Sequence, residues 1–385
     1  MKKNLVAAGI VFIFSSAHAQ STVSLTGLLN AGIAYVSDAG NNVGHKSAFQ
    51  AKSGDLNVSR WALSGREQIT DDLSAEFMLM NGFSVTSGTG SQQGRLFGFQ
   101  AYIGLGSRQA GTVTIGRQFD SVVQFVQPLS LGGTSYGGVA FAHPYDNDNL
   151  DNYTRTNNSI KYTSPDFSGL KFGYMYGFSN QAGQFDNSRG YSAGASYSFG
   201  SFNAGVGYLQ FDNESNLSSA NTEGAEPAGA PFNAGRQRTF AIGGSYQYRE
   251  LIAGAVVSET RLDDATSINN VADTAISLPH DDVRFDNFEI NVRYLVSRQW
   301  RLSAAYTYTA GRFATPTGTC FPKWHQVGVL SSYYLSPSTD VYAEAIYQRA
   351  VGLTGTGIQG AQISNFVRAS GDNQFIAGIG IRHKF

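Results

Sequence analysis

The final eleven residues, FIAGIGIRHKF, put Phe375, Ala377, Ile379, Ile381 and Phe385 on one parity and Gly378, Gly380, Arg382 and Lys384 on the other. Successive side chains of a strand point to opposite faces, so this segment is a strand with one apolar face. About ten residues patterned in this way cross a bilayer only when the second face meets water or a polar interior. Because hydrocarbon satisfies no backbone hydrogen bond, such strands cross only as members of a closed barrel.

The same alternation recurs along the chain. It predicts strands over residues 23–36, 56–67, 73–85, 96–106, 112–119, 156–162, 169–178, 191–199, 202–211, 238–248, 251–260, 285–296, 300–309, 324–335, 341–349 and 375–385. These are sixteen segments, an even number, as an antiparallel barrel requires. Short turns at residues 69–72, 107–111, 163–168, 200–201, 249–250, 297–299 and 336–340 alternate with long polar loops such as 212–237, 261–284 and 350–373. In outer-membrane barrels the short turns face the periplasm, so both termini are expected there, with the first strand pairing with the last.

The N-terminus agrees with export. Lys2 and Lys3 precede an apolar run from Leu5 to Phe14, and Ala17-His18-Ala19 supplies the small residues a signal peptidase reads. The expected domain plan is a cleaved leader at 1–19 and a barrel at 20–385. That run is too short for a spanning helix, which needs roughly 20 apolar residues. Charged residues make up 14% of the chain against about 25% in soluble domains. A formal charge of −1 leaves no basic footprint for nucleic acid. Cys320 is the single cysteine, so no intrachain disulfide forms.

The apolar parity carries Leu170, Phe172, Tyr174 and Tyr176, and then Trp300, Leu302, Ala304, Tyr306 and Tyr308, with aromatics gathering toward strand ends. Outer-membrane lipid is the partner this face expects. The opposite parity offers Arg60, Ala62, Ser64, Arg66, Glu76, Asn157, Ser159, Lys161, Lys171, Glu289, Arg293 and Arg301 to a lumen. A barrel of 16 strands is too wide for its side chains to fill, so water remains inside. The long break at about 120–155 is expected to fold inward, bringing Asp120, Asp146, Asp148 and Asp151 toward Arg60. A transverse field of that kind sorts hydrated solutes. The alternative is that these acids sit at the mouth or only cap local turns.

Several motifs resemble one family. They are Ser59-Arg60-Trp61-Ala62-Leu63-Ser64-Gly65, Leu96-Phe97-Gly98-Phe99-Gln100-Ala101-Tyr102-Ile103-Gly104-Leu105, Gly111-Thr112-Val113-Thr114-Ile115-Gly116-Arg117-Gln118-Phe119-Asp120, Asn158-Ser159-Ile160-Lys161-Tyr162-Thr163-Ser164-Pro165, Lys323-Trp324-His325-Gln326-Val327 and Arg382-His383-Lys384-Phe385. Over the whole mature chain the sequence resembles the Gram-negative general porins of the beta-proteobacterial type. The resemblance implies a homotrimer of 16-stranded barrels, each with its third extracellular loop in the pore. It also implies that Phe385 is the signal read by the barrel-assembly machinery.

Two departures bear on the pore. Where family members often carry a second arginine in the Ser-Arg-Trp motif and another in the Phe-Gly-Arg-Gln motif, this chain has Ser64 and Phe99. The basic wall is thereby reduced to Arg60, Arg117 and Lys161. By strict alternation from Val113 and Ile115, Arg117 falls on the apolar parity, which would put it beyond the strand end.

Motifs for covalent chemistry do not survive their context. Gly190-Tyr191-Ser192-Ala193-Gly194 spells a nucleophile elbow, yet Ser192 lies within an alternating strand rather than a strand-to-helix turn. The glycines of 355–360 lack a βαβ setting. Asp146, Asp148 and Asp151 could present oxygens to Ca²⁺, but the glycine and distal Glu of a calcium loop are missing. His45, His143, His280, His325 and His383 show no zinc spacing. No cofactor and no enzyme activity are expected. The expected function is passive diffusion of ions and small hydrophilic solutes, with a substrate-specific uptake channel or a barrel enzyme as alternatives.

Overall fold

In the computed structural model the described residues are 21–39, 46–183, 185–213, 224–227, 229–269 and 274–385. The leader expected at 1–19 lies outside them. The strands are β1 (Ser21–Ala39), β2 (Lys46–Ser53), β3 (Arg60–Gln68), β4 (Leu73–Gly82), β5 (Gln100–Ser107) and β6 (Gly111–Gln118). They continue as β7 (Thr156–Thr163), β8 (Leu170–Gly177), β9 (Arg189–Phe199), β10 (Phe202–Asp212), β11 (Phe232–Tyr248) and β12 (Leu251–Ile268). The last are β13 (Ile276–Leu295), β14 (Trp300–Thr315), β15 (Gly318–Cys320), β16 (Lys323–Tyr334), β17 (Thr339–Val351) and β18 (Asn373–Lys384).

Each span pairs antiparallel with the next, and β1 pairs with β18 from Leu28↔Lys384 to Val36↔Ile376, which closes the sheet. Closure leaves the sheet no terminal strand, the kind of edge that hydrocarbon cannot satisfy. These segments make sixteen spans, because β2 and β3 are two halves of one and β15 is a hairpin tip on β14.

The second span departs from the expectation of an unbroken strand over 56–67. Lys46–Ser53 pairs with the upper half of β1 and Arg60–Gln68 with the lower half. Between them the chain leaves the ladder at Gly54, whose φ of +87° suits glycine. There the Asn30 carboxamide oxygen accepts from Leu56 N (3.0 Å) and Asn57 N (3.3 Å), replacing the missing ladder bonds. The long loops are also shorter than their sequences suggest. β12 and β13 continue pairing out to Ile268↔Ile276, in a stretch where outward charged residues break the apolar alternation.

One parity is apolar and open. Ile103, Ile290 and Ile379 are each more than 60% exposed, and Tyr174, Phe240, Val257, Phe288 and Val329 are exposed on the same outer face. Exposure on this scale would be unstable in water and is expected against hydrocarbon. Among the described residues no helix is long and apolar enough to cross a membrane.

The buried residues lie on the other parity, where the segment between β6 and β7 packs against the wall. Its helix α1 (Ser121–Phe125) and the residues after it bring Val122, Val126, Leu129 and Leu150 onto Leu209, Phe211, Ala241 and Val256. Leu131, Ala140 and Phe141 pack on Tyr342, Ile346 and Ile376. Glycine permits the approach, since a Cβ at Gly205 would lie 2.0 Å from Phe125 O. Each fully buried Leu or Phe contributes about 1.5–3 kcal/mol.

Candidate functional site

Polar bonds fix the same segment. Glu289 on β13 accepts from Ser130 Oγ (2.6 Å), Leu131 N (2.9 Å) and Asn291 Nδ2 (2.7 Å). Arg293 Nη2 donates to Ser130 O (2.9 Å), Gln326 Nε2 to Ala142 O (3.1 Å) and Arg382 Nη1 to Ser135 O (3.3 Å). These partners come from three separate strands and all lie on the buried parity.

His143 joins the segment to that wall. Its Nδ1 donates to Asp148 Oδ2 at 2.7 Å and its Nε2 to Glu289 Oε2 at 3.0 Å. Asp148 accepts in addition from Ser258 Oγ and from Asn287 Nδ2 (3.3 Å). Burial disfavours a charged imidazole, but Asp148 and Glu289 outweigh it and raise His143 to about 10.

The acids of the segment have different places. Asp120 caps α1, its Oδ1 accepting from Val122 N (2.7 Å) and Val123 N (3.2 Å) and its Oδ2 from Asn149 Nδ2 (2.6 Å). Asp146 is a turn cap, accepting from Asp151 N (2.7 Å) and Tyr153 N (2.9 Å). Asp148 belongs to the His143 cluster. Asp151 alone of the four lines a cavity shared with Arg60 and Arg117, and burial pushes it up to about 7 against the pull of Arg155.

That cavity measures about 580 Å³, and its lining includes Lys52, Arg60, Phe99, Arg117, Asp151 and Arg155. Arg117 reaches it through a bulge. The β6–β7 register slips between Gly116 and Gln118, so strict alternation fails at Arg117. Its Nε donates to Gly98 O (2.9 Å), and its Nη1 donates to Asn157 Oδ1 and to Arg155 O (3.3 Å). Arg117 therefore lies within β6 rather than beyond its end.

Lys52 and Arg155 are the basic members that sequence reasoning missed, and Arg155 is the better anchored. Its guanidinium lies 4.2 Å from the Phe99 ring centroid and 5.2 Å from that of Phe119, while Arg60 approaches Phe99 from 5.7 Å. Phe99 is thus a platform for two arginines, each contact worth about 0.5–2 kcal/mol. A pairing of Phe-Gly-Phe at 97–99 with an arginine immediately before β7 is the only trace of this in the sequence.

The remaining expected residues are placed as follows. Lys161 Nζ donates to Phe119 O at 2.9 Å and so supports the approach to α1. Ser64 pairs across to Met78 in the β3–β4 ladder and is not among the cavity residues. Ser192 bonds Ser121 through its hydroxyl, pinning α1, and stays within a continuous strand. Phe385 exchanges two backbone hydrogen bonds with Gly27 (2.8 and 3.1 Å), completing the seam beside β1.

A family model described as Gram-negative porin matches residues 6–353. The chain belongs to the Gram-negative porin family. It is a passive channel of the outer membrane and not an enzyme. An outer membrane porin protein of Bordetella pertussis is 28% identical over all of both chains. Outer membrane porin protein 32 of Delftia acidovorans is 24% identical, again over all of both. Among solved structures, the anion-selective porin from Comamonas acidovorans superposes with a TM-score of 0.70 at 20% identity, covering 95% of this porin and all of that chain. OmpT of Vibrio cholerae in its trimer form gives 0.63 at 17% identity, covering 95% and 99%.

Proposed function

We propose that this porin passes small hydrophilic solutes with a preference for anions, through a waist between residues 120–155 and the wall that carries Lys52, Arg60 and Arg117. The observation that carries the reading is the charge of the cavity lining, where Lys52, Arg60, Arg117 and Arg155 face one acid, Asp151. Cations held at a narrow, low-dielectric wall raise the local concentration of anions. Stacking on Phe99 holds Arg155 at this wall. Asp120 and Asp146 contribute less field than their number suggests, because neither lines this cavity.

The test is the reversal potential of the folded protein in planar bilayers under a KCl gradient, for wild type, Arg60→Ala and Arg155→Ala. The expected wild-type potential has the anion sign, and both variants move toward cation preference. Cation preference in the wild type, or potentials unmoved in both variants, would sink the reading.

The proposal includes a homotrimer, supported by a solved relative that is described as a trimer. A high-mass band in unheated gels that collapses on boiling is the expected signature. It includes also cleavage before Gln20, which N-terminal sequencing of membrane-extracted protein checks, and recognition of Phe385 by the assembly machinery.

A further inference from the structure

Asp148 is taken up by His143, whereas Asp146 and Asp151 meet at a separate small hollow where the 120–155 segment touches other long loops. Tyr145, Asp146, Asp151 and Tyr153 line it, together with Asn269 after β12 and Asn365 between β17 and β18. The local turn is wound about Asp146. Its Oδ1 accepts from Asp151 N (2.7 Å) and its Oδ2 from Tyr153 N (2.9 Å), which brings the two acids to the same wall of the hollow. Burial first, and then the charge of Asp151, hold Asp146 well above the usual carboxylate range.

Two polar atoms at this place have no hydrogen-bond partner. One is the hydroxyl of Tyr145, a residue only 7% exposed, and the other is the buried Oδ1 of Asp151. Packing fixes the Tyr145 ring, with the centroids of Phe285 and Trp324 at 6.4 and 6.3 Å, so the phenol does not turn out to water. A buried hydroxyl left unsatisfied is destabilising.

The hollow measures about 20 Å³, room for one water-sized particle. A water molecule would satisfy the phenol but leave two carboxylates repelling one another, and a cation answers both needs. Arg155 pulls on Asp151 but directs its hydrogen bonds to Tyr153 O (2.7 Å) and Asn152 Oδ1 (3.2 Å). Among the described residues no three of His, Cys, Asp and Glu converge as a metal site. The donor set is therefore two carboxylates and neutral oxygens, which suits Ca²⁺, a hard ion of oxygen ligands, rather than Zn²⁺.

We propose that Asp146, Asp151 and Tyr145 hold one Ca²⁺ in this hollow, with neutral oxygens of the same loops and water completing its shell. The consequence lies in the pore. Asp151 also lines the main cavity opposite Lys52, Arg60 and Arg117, and a bound Ca²⁺ offsets its charge and leaves those cations unopposed. That consequence rests on the anion preference proposed above, whereas the binding does not.

The experiment uses the barrel refolded without lipopolysaccharide, so that no lipid carries the ion, and counts radioactive Ca²⁺ by equilibrium dialysis after chelation of divalent ions. One saturable ion per chain is expected. Asp146→Asn keeps an acceptor for the turn but loses the charge, and should bind about tenfold more weakly. Tyr145→Phe removes only the hydroxyl and should weaken binding by about threefold, which guards against a turn that fails to form in the first variant. In bilayers at constant ionic strength, added Ca²⁺ should move the wild-type reversal potential further to the anion side and leave Asp146→Asn unmoved. No saturable Ca²⁺ in the wild type, or equal affinity in all three proteins, would overturn the proposal and assign the hollow to water. Because dialysis counts ions without current, a wild type that prefers cations would sink the solute reading and leave a positive count standing.

Discussion

His143 Nε2 lies 3.0 Å from Glu289 Oε2, joining residues 146 positions apart in sequence and fastening the 120–155 segment to the wall of β13. Since Nδ1 also faces a carboxylate, that of Asp148, both ring nitrogens act as donors and the imidazole is held as a cation.

This arrangement predicts an alkaline release. The folded His143 value, about 10, lies above the ordinary 6.5, so its stabilisation is complete below about pH 6.5 and is lost as pH rises through about 10. Asp148 is held below the usual 3.8, burial being overcome by His143, so its contribution is lost only as pH falls below that value. The latch should therefore hold from about pH 4 to 9, with channel noise rising only above about pH 10, whereas ion preference shifts near pH 7 as Asp151 in the cavity ionises. His143→Ala should show the noise already at neutral pH, with no further transition near 10. Superimposable pH profiles for the two proteins would refute the latch.

A second fastening is wholly buried. Arg382 meets Asp340 with Nε to Oδ1 and Nη2 to Oδ2, both 2.9 Å, and donates also to Asn57 Oδ1 (2.7 Å). Removing one partner of such a pair strands the other charge, typically at about 3–5 kcal/mol. Asp340→Asn should lower the temperature at which the barrel band unfolds in heat-modifiability gels. Arg382→Met with Asp340→Leu should recover part of the loss, because neither charge is then left alone.

The seat of the segment can be probed at one glycine. Gly138 has φ +79° and ψ −164°, a region open essentially to glycine, and a Cβ there would lie 1.9 Å from Leu56 O. Gly138→Ala should lift residues 137–139 away from the bend at Leu56. Raised conductance and faster proteolysis within 130–140 are expected, with the barrel still heat-modifiable. A variant identical to wild type in both assays would show that the contact is dispensable.

Much of this was legible in the chain because strand patterning is local. A period of two marks each span, and lipid and lumen on opposite sides of one strand write the membrane into the composition of each face. The number of spans, closure of β1 on β18 and the apolar outer face followed from that alone. The errors lie where local rules stop. The bend after Gly54 is supported by Asn30, a residue 24 positions earlier, and the bulge beside Arg117 inverts a parity that counting had assigned.

The site itself was a tertiary decision. No spacing places His143 beside Glu289 or Arg155 on Phe99. These meetings depend on barrel register and on how a segment without regular strands lies against the wall. Alternation of apolar and polar side chains, repeated along the chain, determined the barrel. The charges that face one another were decided only when the sheet closed and fixed every strand's height relative to its neighbours.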